Sequence, residues 1–81
     1  MLDEQKFLFA LGDSIYDIRT SKGYSQEKLA ELTGLHRTYI SDIERGAKNV
    51  TVKKVALICL ALNVSLSTLF WEVDKKYEGK Y

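Results

Sequence analysis

The chain has 81 residues, enough for one domain with a thin core, and 46% of them are hydrophobic. With no proline and apolar residues recurring at helical spacing, an all-α class is predicted. A formal net charge of +1 excludes the strongly basic balance of many nucleic-acid binders, and a single cysteine, Cys59, excludes an internal disulfide.

Five helices are expected in chain order, joined by short connections. The first runs from about Asp3 to Ser21 with Leu8, Leu11, Ile15 and Ile18 inward. Gly12 inside it costs about 1 kcal/mol relative to alanine. Lys22-Gly23 ends that helix. Ser25 is a good N-cap for a second helix that starts at about Gln26 and stops near Thr33, where Gly34 supplies the left-handed geometry of a tight helix end. A third helix, about Arg37 to Arg45, buries Ile40, Ile43 and Ala47 and turns Arg37, Thr38, Ser41 and Arg45 outward. Residues 46–50 form a loop. Thr51 caps a fourth helix, about Val52 to Leu62, which is apolar nearly all round from Val55 to Leu60 and so expected to be central; Asn63 closes it. Ser65 caps a last helix carrying Leu66, Leu69, Phe70, Val73 and Tyr77 along one stripe, and from Lys75 to Tyr81 the polar tail is expected to fray.

Ser25 to Gly46, SQEKLAELTGLHRTYISDIERG, is the most informative segment: two short helices hinged at Gly34, the second with a polar face. That is the layout of a helix-turn-helix DNA reader. Small Ala30 shares a side with Leu29 and Leu32, where a steeply crossing helix needs a short side chain. Charge is distributed to match. Residues 17–54 carry eight Lys/Arg against five acids, a balance of +3, whereas residues 1–16 stand at −2. A modest positive face, doubled in a dimer, suffices for phosphate contact without indiscriminate binding.

Glu44 lies one turn after Ile40 and beside Ile43, so its carboxylate falls at the edge of the core, where an unpaired charge is costly. Arg19 falls on the margin of the first helix's apolar stripe, four residues after Ile15. An Arg19–Glu44 ion pair is expected to tie that helix to the reading helix, the guanidinium suiting a two-point bond.

The end of the reading helix that enters the major groove is its N-terminus, which places Arg37 and Thr38 at base edges with Ser41 and Asp42 one turn on. Arg37 can donate two parallel hydrogen bonds to guanine, and Thr38 offers its methyl to thymine or its hydroxyl to a base edge. Gln26, beside the free amides of its helix, suits a phosphate oxygen. Tyr39 either packs at the motif edge or sends its hydroxyl to a phosphate, and Arg45 either meets phosphate or caps its helix dipole.

Arg19, Ser25-Gln26-Glu27, Leu29-Ala30, Gly34-Leu35, Arg37-Thr38-Tyr39-Ile40-Ser41 and Ile43-Glu44-Arg45-Gly46 together resemble the phage-repressor/Cro-type (XRE-like) helix-turn-helix family. Within it, RTYISDIERGAKN followed by VTVKKVALICLALNVSLSTLF is most similar to the controller proteins of bacterial restriction–modification systems, a likeness covering about residues 11–73. The resemblance implies that the Gln and the loop after the reading helix clamp the DNA backbone, which here means Gln26, Lys48 and Asn49. His36 departs from the pattern by standing at an N-cap where Ser or Thr is usual.

Cys59 lies within an apolar helix and is expected as a buried core thiol, with no metal-ligand cluster around it. Neither it nor His36 joins a catalytic constellation, no phosphate-cradling glycine loop exists, and neither enzyme activity nor a cofactor is expected. The apolar run Lys6-Phe7-Leu8-Phe9-Ala10-Leu11 is too short for a membrane span and carries no secretory signal, so a cytoplasmic protein is expected. Leu66, Leu69, Phe70, Trp71 and Val73 crowd the last helix beyond what a small core absorbs, so residues 66–77 are expected to form a homodimer.

The expected function is a homodimeric transcription regulator on a two-fold operator in double-stranded DNA, with RNA polymerase as a possible partner. The controller of a restriction–modification operon is its sharpest form. A phage-type repressor or antitoxin regulator is the alternative within the same class. A helical protein-interaction module is the third reading, disfavoured because its face would be apolar and aromatic rather than led by Arg37.

Overall fold

Four of the five helices begin on a side-chain oxygen that accepts an early amide hydrogen: Asp3 from Lys6, Ser25 from Lys28, Thr51 from Lys54 and Ser65 from Thr68. The computed structural model describes residues 1–79 and places α1 at Glu4–Ser21, α2 at Gln26–Thr33, α3 at Arg37–Glu44, α4 at Val52–Leu62 and α5 at Leu66–Gly79. No strand occurs among the described residues. Gly34 closes α2 at φ 77°, and Asn63 closes α4 at φ 57°, φ 74° at Gly46 marking the turn after α3.

The core draws on every helix: Leu11 and Ile15 of α1, Leu29 of α2, Ile40 and Ile43 of α3, Val55, Ile58, Cys59 and Leu62 of α4, and Leu69 and Val73 of α5. α1 packs on α5 and α3, and α2 packs on α3 and α4. On α1 the buried stripe is rotated from the expected one. Ala10, Leu11, Ser14 and Ile15 are buried, while Leu8 and Ile18 are half-buried. The cause is a close crossing. A Cβ at Gly12 would stand 2.2 Å from the Ile43 carbonyl oxygen and 2.7 Å from that of Glu44, so α1 and α3 meet backbone to backbone. Small Ala10, Gly12 and Ser14 therefore face inward, the Ser14 hydroxyl satisfied by the Ala10 carbonyl at 2.7 Å.

Three further expectations are corrected. Ala47 is exposed, because α3 ends at Glu44 and the chain turns away through Gly46 before a third apolar position is reached. Leu60 is 78% exposed, since α4 is covered on one side only, by α2 and α5. Residues 75–79 continue α5 rather than fraying: the Tyr77 hydroxyl accepts from the Asp3 backbone amide at 3.0 Å, and Lys76 bonds Asp13 and Asp17 on α1. Lys80 and Tyr81, the rest of that tail, lie outside the described residues.

Candidate nucleic-acid interface

α3 is aimed by what lies beneath it. Arg19 and Glu44 come together as a two-point pair, Arg19 Nε to Glu44 Oε2 at 2.6 Å and Nη2 to Oε1 at 3.0 Å, with side chains only 7% and 4% exposed. The third guanidinium nitrogen, Nη1, donates to the Tyr24 carbonyl at 2.7 Å, so every nitrogen of the cation is bonded and the turn before α2 is held as well. The hydrogen bond to Glu44 raises the Arg19 pKa against the opposing effect of burial. The guanidinium is thus charged throughout any working range.

That pair extends outward through α2. Gln26 donates from Nε2 to Glu44 Oε1 at 3.0 Å, and its carbonyl oxygen accepts from Arg37 Nη1 at 3.1 Å. A carboxylate only accepts, so it fixes which end of the Gln26 amide faces inward and leaves the carbonyl toward Arg37. Arg37 also stands 4.0 Å from the Glu27 carboxylate, its side chain still 52% exposed. Thr38 is exposed beside it, and Ser41 and Asp42 are half-buried one turn on. The expected base-edge residues therefore run along α3 from its first turn into its second, where Asp42 is engaged: it forms an ion pair with Arg45, whose Nη1 also reaches Ser41 Oγ at 3.3 Å. Gln26, the residue expected at the DNA backbone, is bonded on both sides within the chain, and these bonds use one of its two amide hydrogens.

Tyr39 packs half-buried against the core cluster, and the Lys54 ammonium sits 4.8 Å from the centre of its ring. Lys54, in the first turn of α4, is one of the eight basic residues of the segment 17–54, and its neighbour across the fold gives it a place at this face. Lys48 and Asn49 are exposed on the connection between α3 and α4. His36 caps α3 in backbone geometry alone, with no side-chain bond. Cys59 is buried, which pushes its thiol pKa up and leaves it protonated and unreactive. No group of three or more His, Cys, Asp or Glu among the described residues is placed to hold a metal ion, and no single helix is long and apolar enough to cross a membrane.

The candidate dimer face divides. Leu69 and Val73 are each 1% exposed in the single chain, so they are corrected to core residues: α5 lays them against α1 and α4, which leaves nothing of them for a partner. Leu66, Phe70 and Trp71 are 43%, 37% and 60% exposed on the outer side of α5.

A short helix stopped by a left-handed glycine, followed by a second with an exposed basic N-terminal end, defines a helix-turn-helix reader. The chain belongs to the helix-turn-helix family, whose sequence pattern matches residues 15–69. It is 49% identical over 65 residues to control protein C.BamHI of Bacillus amyloliquefaciens, covering 79% of this chain and 78% of that one. Control protein C.SmaI of Serratia marcescens is 40% identical over 68 residues, 84% of this chain and 81% of that one. In three dimensions the chain is similar to the restriction–modification controller protein C.Esp1396I, solved as a tetramer in complex with its natural 35 base-pair operator. That likeness has a TM-score of 0.82 at 41% identity and covers 88% of this chain and 93% of the other.

Proposed function

We propose that the chain is the controller of a restriction–modification operon, a sequence-specific regulator that binds a two-fold operator as a homodimer in the bacterial cytoplasm. The observation that carries this reading is the exposed Arg37–Thr38 end of α3, held through half-buried Gln26 on the buried Arg19–Glu44 pair. In the major groove Arg37 leaves Gln26 for the O6 and N7 of a guanine, a fork matched by no other base. Thr38 and Ser41 meet neighbouring base edges, and Asp42 accepts from a cytosine amino group once Arg45 turns to a phosphate. Lys48, Asn49, Tyr39 and the spare amide hydrogen of Gln26 clamp the backbone.

The dimer forms through Leu66, Phe70 and Trp71 of α5, exposed apolar side chains on one helix. Bound beside a promoter, such a dimer either blocks RNA polymerase or recruits it, a sign that run-off transcription reads directly.

Selection of duplexes from a random-sequence pool, followed by footprinting, tests the reading. Two half-sites related by a two-fold axis and about one helical turn apart are expected. Sedimentation equilibrium giving a monomer at tens of micromolar, roughly, defeats the dimer. A methyltransferase and an endonuclease gene beside this one support the controller role; phage immunity genes or a toxin gene there point to the alternative within the class.

A further inference from the structure

We infer that Gln5, at the start of α1, is a positioning residue for DNA binding: through Gly46 it sets the loop that presents Lys48 and Asn49 to the phosphate backbone. The inference rests on the clamp role proposed above for that loop.

The loop leaves α3 at one point of direct contact with α1. Gly46 is buried at φ 74°, and a Cβ there would stand 2.9 Å from the Phe9 ring and 3.1 Å from the Phe9 backbone nitrogen. Its amide donates to the Ile43 carbonyl at 3.0 Å, and the next amide, of Ala47, donates to the Asp42 carbonyl at 2.8 Å, closing the helix. The Gly46 carbonyl faces α1, and the Gln5 side-chain amide donates to it at 3.0 Å across 41 residues of sequence. That bond holds the carbonyl edge of the peptide plane between Gly46 and Ala47, whose amide edge is held by the Ala47 bond to Asp42. With no Cβ to restrict it, glycine resists peptide rotation less than other residues do, and rotating this one redirects everything that follows.

Gln5 itself stands on a fixed mount. The Asp3 amide donates to the Tyr77 hydroxyl at 3.0 Å, and the Phe7 ring meets the Tyr77 ring edge-on at 6.2 Å, tying the first turn of α1 to α5. Gln5 is exposed and adds nothing to the core, and alanine is the better helix former at such a position. Its bond to the loop is therefore the feature that distinguishes it.

The test compares full-length Gln5→Ala and Gln5→Glu with Lys48→Ala/Asn49→Ala and with the triple variant, on a duplex selected by the unmodified chain and on a scrambled duplex of equal length. An ionised carboxylate at this position cannot donate to a carbonyl, so both Gln5 variants lose the bond. Each is expected to keep its thermal midpoint, to bind both duplexes about three- to tenfold more weakly, and to show a shallower salt dependence. In the Lys48→Ala/Asn49→Ala background, Gln5→Ala is expected to add less than about twofold, since the loop then has nothing left to present. Unchanged affinity, a loss that multiplies in full with the loop variant, or a loss that follows a lowered thermal midpoint overturns the inference. If Lys48→Ala/Asn49→Ala itself leaves binding intact, the clamp reading fails, whatever Gln5 does.

Discussion

The two faces of α3 are held in place by different physics. Its inner face meets α1 through backbone: the carbonyls of Ile43 and Glu44 lie where any Cβ at Gly12 would stand, Ile40 and Ile43 are 0% and 2% exposed, and the Glu44 carboxylate is shared by Arg19 and Gln26. Its outer face carries Arg37 and Thr38 in solvent, with Arg37 held by one hydrogen bond to Gln26 and a looser approach to Glu27. Contacts of the first kind cannot be exchanged without moving a helix. Those of the second can open without moving a helix, as the proposed base contact of Arg37 requires. Stability and sequence preference are thus separable on a helix of eight residues.

The largest break is expected on the inner face. Gly12→Val places a branched side chain against two carbonyl oxygens instead of a pliable side chain, so the cost should be about 4 kcal/mol, above the ordinary overpacking range. Chemical denaturation measures it, and a stable Gly12→Val chain would show that α1 and α3 separate easily. Next comes the ion pair. Glu44→Ala should cost about 3 kcal/mol, because Arg19 is left charged and enclosed, and Arg19→Ala about as much. The double variant should cost far less than the sum. Additive losses would mean that the two residues act independently.

How far the sequence carried the fold follows from the same contrast. Helix ends were legible because caps and left-handed stops are local: Ser25, Gly34, Thr51 and Asn63 each act within a few residues of themselves. Arg19 and Glu44 could be paired from one-dimensional patterns because each is a charge at the margin of an apolar stripe, an anomaly that asks for a partner. Along the chain Gly12 is legible only as a helix penalty, since nothing there says which neighbour crosses it. The division of α5 into core and surface was equally hidden: Leu69 and Val73 lie on the same apolar stripe as Leu66 and Phe70, and only the placement of α1 and α4 decides which are covered. On the outer face the residue types were legible but their engagements were not. Gln26 bonds Glu44 and Arg37 through side chains whose reach depends on the crossing of α2 and α3.

On that outer face the expected losses appear in binding and not in folding. Arg37→Ala should weaken binding to a selected duplex by roughly 1–3 kcal/mol and relax preference at one base pair in each half-site. Its denaturation curve should stay within about 0.5 kcal/mol of the parent, as for an exposed site. Lys48→Ala should weaken selected and scrambled duplexes alike and lower the salt slope by about one per site removed. Should Arg37→Ala weaken all sequences equally while Lys48→Ala alters base preference, the reading end of α3 has been assigned wrongly.

The smallest effect concerns a surface counterpart of the buried network. Lys76 donates to Asp17 at 2.6 Å and to Asp13 at 3.0 Å, again one cation and carboxylate oxygens joining two helices, but the two carboxylates are 51% exposed where Glu44 is 4%. The bonds to Asp17 and then Asp13 raise the Lys76 pKa above the ordinary lysine value. The folded chain therefore holds this proton more tightly than the unfolded one. The stabilisation is fully present below the ordinary lysine value and is lost as pH rises through the raised one. Water screens both carboxylates, so Lys76→Met should cost under about 1 kcal/mol at neutral pH. The variant should also lack that part of the parent's alkaline loss, read from denaturation midpoints across the alkaline range. If Lys76→Met instead destabilises as much as Glu44→Ala, exposure does not set the worth of these networks, and the contrast between the enclosed Glu44 carboxylate and the exposed carboxylates of Asp13 and Asp17 must be drawn elsewhere.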